Sequence, residues 1–233
     1  MAARIAVLLA LMMLVVACGG GRESRSRADR VEPGIDRERA AGQMLADGMA
    51  GRTAAIVPSG FKLRRESRSG FSVAFPRAWK ALDARDARFP GAAANLERYN
   101  PALVGYLRGL ADPSSPLRLL AFDPDLHRGF ATNANVFEVG LAPADVLREV
   151  RRLPSLRGVV RWRRVELPAG AAHRLEFLRS YRWRGRRYRL STLQFTVARR
   201  DRTFVLVFST PAELKRRYWP VFAASARSLT LPA

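Results

Sequence analysis

Four arginines crowd the short stretch Arg182-Trp183-Arg184-Gly185-Arg186-Arg187-Tyr188. Guanidinium groups stay charged at any physiological pH and fork onto carboxylates and phosphates, so Arg182, Arg184, Arg186 and Arg187 make a candidate surface for an anionic partner. They belong to a wider excess: residues 148–189 hold fourteen Arg against three Glu, in a chain of formal net charge +21. Two readings of that excess stand side by side. One is an electropositive face for anionic headgroups, cell-wall polymers or an acidic protein. The other is composition, since a GC-rich genome yields abundant Arg and Ala with little Lys and no selection for binding. Trp183 and Tyr188 have faces on which bases can stack, but aromatic residues beside a hairpin turn ordinarily pack across their own strands.

Other reactive side chains argue against catalysis. Asp123-Pro124-Asp125-Leu126-His127 follows an apolar run, and two carboxylates two residues apart can share a face and hold Mg2+. The arrangement resembles the start of haloacid-dehalogenase-type phosphatases, but their downstream Gly-Asp-x-x-x-Asp element and a suitably placed lysine are missing. Asp-Pro is also a common turn. A hydrolase role for Asp123 and Asp125 is therefore the weakest reading of the chain. His127 and His173 are the only two histidines, and neither sits in a zinc-ligand spacing. There is no Gly-x-Ser-x-Gly elbow for acyl transfer and no glycine-rich phosphate loop. Ser209 closes an apolar run, where its hydroxyl is expected to satisfy a nearby backbone group. The expectation is a protein without catalytic residues, metal or cofactor.

Cys18 is the single cysteine, and its position is specific. Arg4 supplies a charged start, residues 5–16 an apolar core, and Ala17-Cys18 a small-residue cleavage context, as in an export signal. The core is shorter than the roughly 20 apolar residues of a stable membrane span. Val15-Val16-Ala17-Cys18 resembles the lipobox of bacterial lipoproteins, with Val where Leu is usual at the first position. In that motif the Cys sulfur takes a diacylglyceryl group, and the Cys amine becomes the new N-terminus. Several acyl chains, at about 0.8 kcal/mol per buried CH2, anchor durably where one would not. The alternative is an ordinary secretory signal with an incidental Cys. In either case nucleic acid is disfavoured as a partner, because the chain is exported. Spending Cys18 on lipid also leaves no disulfide for the exported domain.

The elements that position these groups follow from composition and alternation. Residues 19–60 are rich in Gly, Ser, Arg, Asp and Glu and read as a flexible tether, with an end-to-end distance on the order of 40 Å. Residues 36–49 offer only a weak, glycine-interrupted helix. A single domain is expected over 61–233. It begins with an edge strand at Phe61-Lys62-Leu63 and a strand from Phe71 to Phe75 that Pro76 ends, continuing briefly over 79–82. Asn100-Pro101 predicts a helix carrying Leu103, Val104, Leu107 and Leu110. Strands are predicted over 117–122 and 134–139, then a helix opening at Pro143 with Val146, Leu147, Val150 and Leu153 on one side, then an Arg-studded strand over 159–167.

The stretch from His173 to Leu229 organises the rest. Leu175, Phe177, Tyr181 and Trp183 alternate with polar residues as a strand does. Arg179 interrupts that apolar parity and is expected near a rim. Turns at Gly185 and at 199–202 predict a three-strand antiparallel meander, whose last strand is the nearly unbroken apolar run 203–209 of a strand covered on both faces. Pro211 suits the first turn of a helix, and Leu214, Tyr218, Phe222, Ser225 and Leu229 form its apolar stripe. Pro220 within it predicts a kink or restart. Hairpin connections dominate, which argues for α+β: one central antiparallel sheet covered by helices.

Several of these pieces together resemble PsbP-like domains, including the LpqN-type lipoproteins of actinobacteria. They are Phe71-Ser72-Val73-Ala74-Phe75-Pro76-x-x-Trp79, the Pro168-Ala169-Gly170 turn before a long hairpin, the Phe204 to Phe208 strand, and a last helix ending Ser228-Leu229. The resemblance spans about 60–231. It implies an α/β/α sandwich and proteins that act as accessory or binding subunits instead of enzymes; it transfers no binding residue. The expected function is a lipid-anchored, extracytoplasmic protein of the cell membrane, tethered through Cys18, that docks on an envelope protein or anionic surface. The alternative is a carrier holding a lipid or small hydrophobic ligand between sheet and helix.

Overall fold

The computed structural model describes residues 56–84, 115–183 and 186–232. Cys18, the 19–55 part of the tether, the expected 36–49 and 100–110 helices, Arg184 and Gly185 lie outside them. The described chain runs β1 (Phe61–Glu66), β2 (Phe71–Pro76), β3 (Lys80–Asp83), β4 (Leu117–His127), β5 (Phe130–Val139), α1 (Pro143–Arg151), β6 (Leu156–Leu167), β7 (Gly170–Trp183), β8 (Arg186–Arg199), β9 (Arg202–Pro211), a short 3-10 turn (Ala212–Leu214) and α2 (Lys215–Arg227).

Seven strands form one antiparallel sheet in the order β3-β4-β5-β9-β8-β7-β6. β9, the apolar run FVLVF with its flanks, lies at the centre and is buried from Thr203 to Pro211. Alternation divides it cleanly. Phe204, Leu206 and Phe208 enter the larger core with Leu193, Phe195, Val136 and the α2 stripe. Val205 and Val207 face the other way, with Phe137, Val139 and Val146 of α1. Fully burying a Phe or Leu is worth about 1.5–3 kcal/mol, so both faces of this strand contribute to stability.

On the first face α2 lies along the sheet and the β1–β2 ribbon packs beside it. Phe222 stacks on Phe208 at 4.7 Å between ring centroids, and Phe71 meets Phe204 edge-on at 5.9 Å. The ribbon is a sheet of its own, not an extension of the main one as the sequence pattern suggests. Its link to the chain end is explicit: Ser72 and Thr230 exchange backbone hydrogen bonds of 3.0 and 2.9 Å. After Pro76 the backbone turns at Trp79, and β3 leaves the ribbon to pair with β4. On the opposite face α1 covers the β6–β8 side through Val146 and Val150, with Leu153, Leu175 and Phe177 beneath. Among the described residues the fold is thus α+β and dominated by its sheet, with one helix on each face.

Three local features differ from the pattern-based expectation. β4 does not stop at Phe122 but continues to His127, with Asp123-Pro124-Asp125 bulging opposite Thr132 between the Phe122↔Asn133 and Leu126↔Ala131 pairs. A bulge needs no ladder donor at Pro124, which is why proline fits there. The strand then turns through Arg128 (φ 52°) and Gly129 (φ 83°), the left-handed pair that a two-residue hairpin requires. α2 runs as one helix through Pro220; the ring is exposed. Arg179 is not at a rim. It is 4% exposed, inside the sheet.

Candidate functional site

Alternation along β7 sends His173, Leu175, Phe177 and Arg179 to the face of α1, and Arg174, Glu176 and Arg182 to the face of α2. Arg179 survives burial because its neighbours supply acceptors. Its Nε donates to Thr192 Oγ1 at 3.2 Å and its Nη2 to Ser209 Oγ at 3.0 Å. Thr192 and Ser209 are cross-strand partners on β8 and β9. Ser209 therefore serves a side chain, not the local backbone group expected from sequence.

The polar row continues across the same face. Asn133 Nδ2 donates to the Ala131 carbonyl at 2.9 Å, Asn135 Nδ2 to Asn133 Oδ1 at 3.1 Å, and Gln194 Nε2 to Thr196 Oγ1 at 3.2 Å. Asn135 and Gln194 both sit beside Val207, one on each neighbouring strand. Each spends its amide N–H inside the protein, and among the described residues Asn135 Oδ1 and Gln194 Oε1 are buried acceptors without a donor. A buried polar row therefore crosses the α1 side of the sheet, beside the apolar Val205 and Val207. Sequence reading missed this row because Asn, Thr, Gln and Ser in strands ordinarily face water; its only sign was Arg179 at an apolar parity.

The Asp123 to His127 segment has a structural task. Tyr218 of α2 donates its hydroxyl to Asp123 Oδ2 at 2.8 Å, and Asp123 Oδ1 accepts from the Asp125 N–H at 3.0 Å. Burial, then the hydrogen bond and charge of Asp123, push the Tyr218 phenol up to about 12. Asp125 faces Arg217 at 3.6 Å, and His127 Nε2 lies 3.0 Å from Glu213 Oε1, which Arg128 also approaches at 3.6 Å. The Glu213 carboxyl is held below its ordinary value by its own backbone N–H, against some burial, and by His127 and Arg128. These contacts pin the β4–β5 hairpin to the start of α2. Among the described residues no group of three His, Cys, Asp or Glu is arranged to hold a metal.

The predicted arginine surface falls on the β7–β8 hairpin. Arg182 and Arg187 are exposed and directly opposite one another, and Arg186 pairs in register with Trp183. Closer to the sheet edge a second like-charge pair, Arg163↔Arg174, faces across β6 and β7. Like charges directly opposite are destabilising on a sheet. Arg174 has a counter-ion in Glu176, which also meets Lys215 at 3.5 Å; among the described residues no carboxylate lies within ion-pair distance of Arg182, Arg187, Arg161 or Arg163, although Glu176 stands opposite Arg161 in the strand register.

Among the described residues a ribbon and a helix lie on one face, a helix on the other, and a long antiparallel meander between them. The solved structures similar to this chain include a cyanobacterial PsbP from Synechocystis sp. PCC 6803, at 11% identity and TM-score 0.44, covering 79% of this chain and 100% of that one. They also include LpqN of Mycobacterium tuberculosis, described as involved in cell envelope biogenesis, at 13% identity and TM-score 0.44 over 74% of this chain and 91% of that one. No protein-family model matches the chain, and no curated protein matches it in sequence.

Proposed function

We propose that this protein is a lipid-anchored accessory protein of the bacterial cell envelope, held through Cys18, whose domain docks without catalysis on an envelope partner. The observation that carries the reading is the pairing of Arg182 with Arg187 on an exposed hairpin, with no carboxylate to balance either among the described residues. Composition sets how many arginines a chain has. It does not remove the electrostatic cost of facing them across one sheet, and an anionic partner would relieve that cost. No described helix is long and apolar enough to cross a membrane; the anchor in this reading is lipid on Cys18. An envelope setting is also that of the mycobacterial protein named above.

The test is association of the full lipoprotein with its cross-linked partner as salt is raised. Replacing Arg182 and Arg187 with Gln is expected to weaken association and flatten its salt dependence, since exposed charges are screened over about 8 Å at physiological ionic strength. Unchanged affinity and slope would return these arginines to composition. The second reading, a carrier, draws on the buried acceptors Asn135 Oδ1 and Gln194 Oε1. They favour a cargo with hydroxyl or amide donors over a purely hydrophobic one. A small molecule retained through detergent-free purification, and lost in Gln194→Leu, would favour it over docking.

A further inference from the structure

Among the described residues β6 is the last strand of the seven-stranded sheet, paired on one side only, by β7. An unpaired edge is a template for another strand, and proteins usually blunt it with a bulge or charge. The first part of β6 is blunted in that way. Its register slips between Arg157 and Arg161, around Gly158 at φ 76°. From Arg161 to Leu167 the pairing with β7 is regular, residue by residue.

That regular half has the features of a binding edge. Trp162 is 50% exposed, with one side of its ring against His173 at 5.9 Å. A strand that needed only protection would not expose a tryptophan. Arg161 and Arg163 flank it and are exposed, and alternation places them on the α2 face while Trp162 and Arg164 belong to the α1 face. The acids nearby are already engaged or peripheral. Glu176, opposite Arg161, is held by Arg174 and Lys215, and Glu166 meets Arg164 only at 3.9 Å. A second copy of the chain would bring the same arginines against these ones, so the edge disfavours self-pairing. It suits a strand of opposite charge.

We propose that the edge of β6 from Arg161 to Leu167 accepts an extended acidic segment of a partner protein as an eighth strand. Carboxylates at alternate positions of that segment meet Arg161 and Arg163, and an apolar side chain between them covers Trp162. Main-chain hydrogen bonds supply affinity and the alternating side chains supply specificity, as in other strand-addition complexes. The inference takes from the docking reading only that the partner is a protein; the surface itself is separate from the Arg182–Arg187 hairpin.

The experiment titrates the full mature chain with a short fluorescent peptide that alternates Glu with Val and carries a central Phe. The controls are a peptide of the same composition with its Glu residues in one block, and two peptides N-methylated on alternate residues, one for each parity. Binding is expected to be at least about tenfold tighter for the alternating peptide than for the block, and to be lost with one N-methyl parity but not the other. Arg161→Glu with Arg163→Glu should abolish it, and Trp162→Ala should weaken it by about tenfold. All three positions are exposed, so circular dichroism should be unchanged. Arg182→Gln with Arg187→Gln should leave peptide binding intact, which separates this inference from the hairpin reading. Equal binding of the block and both N-methylated peptides would mean charge alone and would overturn the proposal. So would a cross-linked dimer joined at β6, or binding to anionic vesicles that Trp162→Ala leaves unchanged.

Discussion

Arg179 shows how one side chain can reverse its apparent role. A long cation at an apolar parity normally marks a strand end, yet this one lies buried in the sheet, hydrogen-bonded to Thr192 and Ser209. Burial removes water from the guanidinium, and the hydroxyls on two adjacent strands replace part of it. Taking the cation away strands those hydroxyls in a dry setting, at about 1–3 kcal/mol for each group left without a partner. Arg179→Leu is therefore expected to lower the urea midpoint by an amount equivalent to about 3 kcal/mol. Arg179→Lys should recover little, because an ammonium cannot fork onto two separated hydroxyls. A midpoint within error of the parent protein would show that the row does not depend on this residue.

At the scale of elements, the joint that matters most is between the β1–β2 ribbon and the main sheet. Glu66 closes the ribbon's own turn by accepting from the N–H groups of Arg68 and Ser69, at 3.0 and 2.6 Å. Ser69 then donates its hydroxyl to Glu138 on β5. Glu138 also receives Arg118 of β4 at 2.8 Å and Arg202 of β9 at 3.0 Å. Burial pushes the Glu138 carboxyl up, but the Ser69 and Arg118 hydrogen bonds and the charges of Arg118 and Arg202 outweigh it and hold it below its ordinary 4.5. A carboxyl whose folded value lies below its unfolded one stabilises the fold fully above the unfolded value, and that contribution is lost as pH falls through the folded one. Stability should thus decline as pH drops below about 4.5. Glu138→Gln should flatten this acid limb and cost about 1–3 kcal/mol at neutral pH. Thermal melts of both proteins from neutral to acid pH would check this, and parallel acid limbs would exclude Glu138 as the responsible group.

At the scale of the whole molecule, the proposed lipid anchor on Cys18 would hold this basic domain close to a membrane and decide where it works. Cys18→Ser should either release the protein from membranes or leave an uncleaved precursor, because no other side chain in the chain can take the thioether-linked lipid. Fractionation of the native host, with metabolic labelling by a fatty-acid analogue, would show it. A labelled, processed and membrane-bound variant would exclude lipidation at Cys18.

Much of this protein is set locally and was legible in the sequence. The meander was, because Leu175, Phe177, Leu193, Phe195, Phe204, Leu206 and Phe208 repeat with the period of a pleated strand. So was the α2 stripe of Tyr218, Phe222 and Ser225, with Leu229 just past the helix end, and the helix that Pro143 opens. These signals are carried by neighbours in the chain, where period and capping chemistry act. The polar row of Asn133, Asn135, Thr192, Gln194 and Ser209 was not legible, since its residues lie on three strands and become adjacent only through register. The same holds for the separate ribbon, whose place depends on Ser72 meeting Thr230 at the far end of the domain. Arg161 and Arg163 were visible as part of a charge excess and of an Arg-studded strand over 159–167. That β6 ends the sheet, leaving them beside an exposed Trp162 on an unpaired edge, is a consequence of strand order, and strand order is a property of long-range pairing that no local pattern encodes.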